Sequence, residues 1–175
     1  MIVVNAATIS SDLAHFKENL SPECILEDVS DKMAKLDVQG PQSLDVLKNI
    51  FGQRIEELNY YTFSEFKVFG QQSCIISRTG YTGELGYEIY FANDYVGSLW
   101  ELLLGDPRVK PAGLGCRDTL RLEMSYPLYG QDLDAHQSPL EAGLLQFVDF
   151  SKDFIGRDAL IKEPTNGPAG HLTYF

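Results

Sequence analysis

Three evenly spaced glycines, Gly80, Gly83 and Gly86, stand between two β-prone runs at residues 73–77 and 87–92. Glycine reaches positive φ without steric penalty and lets a second backbone or a flat ligand approach closely. Residues 78–90 therefore read as a shaped hairpin connection. The other elements must arrange themselves around it. Glu88 lies inside the outgoing strand, between Tyr87 and Ile89. A carboxylate among aromatic and β-branched neighbours is costly to desolvate unless a partner meets it. Two readings of Glu88 follow. It turns to solvent on the strand's polar face, or it accepts two N–H bonds from a planar heterocycle.

Period and punctuation mark the remaining elements. Residues 1–5 read as a strand, and Ser10 or Ser11 caps a helix to about Leu20 with Leu13, Phe16 and Leu20 on its apolar face. Residues 25–29 and 34–38 alternate as strands, joined by a turn at Ser30 and Asp31. Pro41 suits the first turn of a helix that buries Leu44, Val46, Leu47, Ile50 and Phe51 and ends at Gly52. Residues 66–69, 74–77 and 87–92 form an antiparallel set. Asn93 or Asp94 caps the next helix, to Leu104, whose core stripe is Val96, Leu99, Trp100 and Leu103, with Trp100 also a candidate to stack on a ligand. A further helix over about 113–125 carries Arg117 and Arg121 one turn apart; Arg121 reads as half of a surface ion pair with Asp118 or Glu123. Residues 126–143 are a long irregular connection, 144–150 resembles a strand, and 155–162 a short helix. The expected fold is α+β, mainly antiparallel sheet covered by about four helices. One domain covers residues 1–162, and a Pro- and Gly-rich stretch, 163–175, is a loose tail.

Composition excludes several functions. With 175 residues, 44% hydrophobic and 22% charged, the chain can build a core and is not predominantly disordered. No apolar run approaches the ~20 residues that span a bilayer. A net charge of −11 argues against duplex nucleic acid and anionic membranes. The three cysteines, Cys24, Cys74 and Cys116, share no C-x-x-C spacing, which disfavours a disulfide framework or a zinc site and favours a reducing cytosol. Asp132, Asp134 and Glu141 suggest a calcium loop, but His136 stands in place of an oxygen ligand and Gly143 occupies the position of the closing carboxylate. No metal is expected.

A second stretch gives the first its meaning. Residues 113–123 read Gly-Leu-Gly-Cys-Arg-Asp-Thr-Leu-Arg-Leu-Glu. Residues 78–89, 113–123, 128–134 and 139–144 together resemble, in order and spacing, the signature of the aminomethyltransferase family. These are the T-protein of the glycine cleavage system and its folate-dependent relatives. The Gln-Gly-Pro segment beginning at Gln39 also matches. The resemblance implies a folate-binding domain in which Glu88 meets the pterin's amino and ring N–H edge. Arg117 contacts the folate or fixes Glu88, and Asn5 and Tyr81 line the same cavity. It implies tetrahydrofolate as cofactor and a lipoyl carrier protein (H-protein) as partner, with a methylene carbon passed to folate and ammonia released.

The same resemblance places the family's catalytic aspartate upstream of residue 1, so no catalytic residue is expected within the chain. The chain thus reads as a partial folate-binding domain lacking an N-terminal part and the C-terminal barrel. Surfaces so uncovered would be expected to pair in a two-fold dimer burying Ile2, Val3, Val4 or the adjoining sheet. Three alternatives stay open: a non-enzymatic folate-binding protein of the same fold, a folate-dependent demethylase relative, and a structural remnant that binds nothing. Residues 152–158, Lys-Asp-Phe-Ile-Gly-Arg-Asp, are similar to the enzyme version of the fold rather than to its non-enzymatic relatives.

Overall fold

The computed structural model describes residues 1–163, 170 and 172–173. These form two compact units, Leu13–Met124 on the one hand and Met1–Asp12 with Ser125–Phe175 on the other. No helix among the described residues is long and apolar enough to cross a membrane.

The larger unit is built on one antiparallel sheet. Its strands are β1 (Met33–Gln39), β2 (Phe63–Val68), β3 (Gln72–Ser77) and β4 (Gly86–Ala92), in the order β1-β4-β3-β2. Along the chain run helices α1 (Ile9–Asn19), α2 (Ser43–Phe51), α3 (Val96–Leu104), α4 (Leu114–Glu123) and α5 (Arg157–Lys162). The period of two sorts the strands into faces. Val38, Phe66, Val68, Cys74, Ile76, Tyr87, Ile89 and Phe91 are buried on one face, with Val46 and Leu47 of α2 and Leu99 and Leu103 of α3. Burial pushes the Cys74 thiol up to about 11. The opposite face carries Lys35, Asp37, Gln39, Ser77, Glu88 and Tyr90.

Hydrogen bonds just outside the strands set the pairing phase. The Gly40 N–H donates to the Leu85 carbonyl at 2.7 Å, and the Arg78 N–H to that of Thr62 at 2.9 Å. Antiparallel pairs alternate between those that exchange hydrogen bonds and those that do not. Continuing the register from either bond gives one phase: Leu36 and Val38 bond to Ile89 and Tyr87 of β4. Lys35, Asp37 and Gln39 therefore turn their N–H and C=O outward, along the free edge of β1.

The three glycines of the β3–β4 connection do different work. Gly83 has a φ of 72°, which a residue with a Cβ rarely adopts. Gly80 and Gly86 instead make room: a Cβ at either would collide with the carboxamide of Gln39. That carboxamide donates to the carbonyls of Thr79 and Tyr87, at 3.2 and 3.3 Å, and so ties the two ends of the connection together.

Several expectations need correcting. Residues 1–5 form no strand, and Met1, Ile2 and Val3 are exposed. Asn5 accepts the Ala7 N–H at 3.0 Å and opens a 3-10 turn, Ala6–Thr8, which redirects the chain. Residues 25–29 are β-prone yet unpaired, with Ile25 97% exposed; β propensity acts only where a neighbouring strand offers packing. Residues 144–150 contain a 3-10 turn, Leu145–Phe147, in place of a strand. Strand β2 begins at Phe63, before the expected Phe66. Arg121 does pair with Asp118, but at 2% side-chain exposure it is buried rather than on the surface. Trp100 is 39% exposed, since Leu99 and Leu103 are the α3 residues facing the core. The expected loose tail, 163–175, lies largely outside the described residues; within it, the Leu172 N–H donates to the Glu141 carbonyl at 3.0 Å.

Candidate functional site

The polar face of the sheet brings two carboxylates side by side. Asp37 and Glu88 are direct register partners and a pair that does not exchange backbone hydrogen bonds, the kind whose side chains lie closer. Like charges so placed repel. Between them sits the Lys35 ammonium, 2.6 Å from Glu88 Oε1 and 3.1 Å from Asp37 Oδ1. Thr79 Oγ1 donates to the other Glu88 oxygen, and the Tyr90 hydroxyl donates to it at 3.2 Å. Burial works to raise the Glu88 carboxyl, but hydrogen bonds from Lys35 and Thr79 outweigh it and hold it below the usual range. Asp37 goes the other way: burial, with the neighbouring Glu88 charge, raises it despite Lys35 and Arg117. Burial also disfavours the Lys35 charge, yet Glu88 and Asp37 lift its pKa above normal.

A cavity of about 530 Å³ runs along the free edge of β1. Lys35, Leu36, Asp37, Val38 and Gln39 form its β1 wall, Tyr81 and Thr82 enter from the β3–β4 connection, and Trp100 comes from α3. Arg108, Lys110, Pro111 and Arg117 also line it. The Arg117 guanidinium lies over the Tyr81 ring, 4.7 Å from its centroid, a cation–π contact that orients both side chains. Arg108 is held by a two-pronged pair with Asp106, at 2.9 and 2.6 Å. Four basic residues, Lys35, Arg108, Lys110 and Arg117, thus line the cavity against one acidic residue, Asp37, in a chain whose net charge is −11. The volume is that of a pocket for one small organic molecule.

Of the residues singled out from sequence, Tyr81 and Arg117 meet in the cavity wall. Glu88 stands one ion pair back: Lys35 lines the cavity and Glu88 holds Lys35. Arg117 stacks on Tyr81, so Lys35 and not Arg117 is the cation that fixes Glu88. Asn5 belongs to the other unit, where it caps the turn described above. Lys35, Asp37, Gln39 and Arg108 escaped the sequence reading. The signal for the first three was present, because Lys-Leu-Asp-Val-Gln alternates polar with apolar and puts all three on one face of a strand.

Residues 1–152 match the family described as the GCVT N-terminal domain. An aminomethyltransferase of Caldanaerobacter subterraneus subsp. tengcongensis is 43% identical over 180 residues, covering 100% of this chain and 48% of that protein. One from Pseudothermotoga lettingae is 47% identical over 171 residues, covering 95% and 47%. The fold is shared with the crystal structure of glycine cleavage system aminomethyltransferase T from Bartonella henselae, at a TM-score of 0.82 and 34% identity over 94% of this chain and 45% of that one. The chain spans about half the length of the curated relatives it matches. By its sequence and its fold, the chain belongs to the GCVT N-terminal domain family.

Proposed function

We propose that this chain carries the folate-binding half of an aminomethyltransferase. The reaction would pass the methylene carbon of an aminomethyl group, held on the lipoyl sulfur of a carrier protein, to tetrahydrofolate. Ammonia leaves and the lipoyl thiol is regenerated. The observation that carries this reading is the set of cations in the cavity wall, of which Lys35 and Arg108 are held by carboxylates while Arg117 stacks on Tyr81. Folate is an anion with a flat, N–H-rich head, and a chain of −11 needs a basic enclave to hold it. The cavity supplies one, with Arg117 and Tyr81 as a stacked wall and a paired carboxylate system at Lys35, Asp37 and Glu88. Tetrahydrofolate would supply the nucleophilic nitrogens that receive the carbon. The chain's own residues would orient it, which is where much of the acceleration of a transfer between held reactants arises.

Glu88 has about four acceptor positions, and Lys35, Thr79 and Tyr90 occupy three. A pterin edge reaching Glu88 must therefore displace or share the ammonium of Lys35, whose stem is flexible. Binding reads the site directly, since no catalytic residue is assigned within the chain. In calorimetric titration with tetrahydrofolate, Glu88→Gln is expected to weaken affinity by about 1.5–3 kcal/mol, the scale of a hydrogen bond to a charged group. An unchanged affinity would leave Glu88 as a structural anchor for Lys35 alone.

A further inference from the structure

We propose that the outer edge of β2 is a self-pairing surface that Arg54 holds shut. With the guanidinium removed, two copies of this chain join there antiparallel, Glu65 of each opposite Lys67 of the other. β2 stands at one end of the sheet, and the pairing phase gives its outward groups. The Arg78 N–H donates to the Thr62 carbonyl, next in register to the Phe63–Ser77 pair. Ser64, Phe66 and Val68 therefore bond to β3, whereas Phe63, Glu65 and Lys67 turn their N–H and C=O away from it. Such a row of unpaired groups is a template for another strand.

Arg54 stands on that row. It belongs to the 3-10 turn Gln53–Glu57. Its Nη1 donates to the Glu65 carbonyl at 3.1 Å and its Nη2 to Ser64 Oγ at 2.6 Å, while Cζ lies 5.0 Å from the centroid of the Phe66 ring. The Glu65 carbonyl is one of the outward groups, so the guanidinium occupies the place of an incoming strand. Three contacts hold its planar fork there. Among the described residues, Arg54 is what bonds to the outward main chain of β2.

The charges on the strand select a second copy as the occupant. Phe63, Glu65 and Lys67 share the exposed face, and Phe66 and Val68 the buried one. A two-fold antiparallel pairing must set like faces side by side. Centred on residue 65 or 67, it would put Glu65 opposite Glu65 or Lys67 opposite Lys67, and like charges directly opposite are destabilising. Centred on Phe66, it puts Glu65 opposite Lys67 on both sides of the axis, with Phe63, 69% exposed, flanking each end. Wider shifts shorten the overlap. Lys67 Nζ rests on two neutral acceptors, the Gln71 carbonyl at 3.2 Å and Ser73 Oγ at 2.7 Å, and a carboxylate is the stronger partner. Main-chain bonds supply the attraction here, and the exposed ion pairs, individually weak, choose the register.

Light scattering after size exclusion, on the full chain at micromolar concentration, is expected to find the unaltered protein monomeric. Arg54→Met keeps an aliphatic stem over Phe66 and removes the fork. Its dimer dissociation constant should be at least about tenfold lower than that of the unaltered chain, the scale of one hydrogen bond gained. Adding Glu65→Lys to Arg54→Met should return the monomer, and adding Lys67→Glu as well should restore the dimer. The Phe63, Glu65 and Lys67 amides should exchange with solvent quickly in the unaltered chain and slowly in the dimer. Should Arg54→Met fail to fold by circular dichroism, Ser64→Ala, which removes one anchor of the fork, replaces it and should shift the balance the same way. A folded variant that stays monomeric, a dimer that leaves those three amides unprotected, or one indifferent to Glu65→Lys overturns the proposal. So does an unaltered chain already paired through β2, because Arg54 then holds nothing shut. Assembly that grows past the dimer with concentration would mean that β2 meets β1 of the next copy, an open-ended arrangement, and also overturns it.

Discussion

Replacing Ile89 by alanine is expected to lower the unfolding free energy by about 2–5 kcal/mol, the range for deleting a branched aliphatic side chain from a packed core. Ile89 is fully buried and sits on β4, an inner strand flanked by both β1 and β3. Its register partners are Leu36 and Ile76, and Ile76 is buried as fully. Three strands therefore meet at one side chain. Domains of this size are stable by about 5–15 kcal/mol in total, so one such loss is a large share of the whole. Ile89→Val, which removes a single methyl-sized group, should cost about 0.5–1.5 kcal/mol. Urea denaturation of the two variants checks the ranking. A deficit for alanine no larger than that for valine would mean that this face is less tightly packed than the structure has it.

The second large effect belongs to the polar face, and its sign depends on pH. Lys35→Met keeps the aliphatic stem and removes the ammonium between Asp37 and Glu88. The Lys35 pKa is raised in the fold, so its contribution is present below the ordinary lysine value and fades as pH rises through the folded one. The Glu88 pKa is lowered, so its contribution is present above the ordinary glutamate value and fades as pH falls through the folded one. Asp37, raised, opposes folding once ionised. Without the Lys35 ammonium, two adjacent carboxylates face each other with no shared cation, and at about pH 7 Lys35→Met should be less stable by about 1–3 kcal/mol, with partial exposure favouring the lower end. Near pH 4 the carboxylates take up protons and the deficit should shrink. Paired urea series at the two pH values decide it. An equal deficit at both would assign the loss to packing and not to charge.

The hairpin between β3 and β4 was legible because glycine spacing and flanking β-branched runs are local signals. So was α2, where Pro41 and Gly52 punctuate an apolar stripe. The unpaired runs at 1–5 and 25–29 were misread for a single reason: strand character belongs to a pair, and neither run carries a mark of what lies beside it. The site was half visible. Tyr81 and Arg117 stood in motifs, but their contact joins a turn to a helix thirty-six residues farther on. Lys35 and Asp37 were passed over because an alternating strand reads the same whether its polar face meets solvent or a cavity. Helical spacing reveals the Arg121–Asp118 ion pair but not its depth.

The carboxamide of Gln39, wedged where Gly80 and Gly86 lack side chains, makes three distant positions one unit of inheritance. A Cβ at 80 or 86 can be accepted only if residue 39 shortens or swings aside, and a swing gives up the bonds to Thr79 and Tyr87. Drift at these sites must then be correlated. Gly86→Ala should harm the unaltered chain more than it harms a Gln39→Ala background, and that non-additivity, measured as a double-mutant cycle of stabilities, would show the coupling. A lineage that loses the glutamine is released to fill the glycines, and with them to reshape the loop that carries Tyr81.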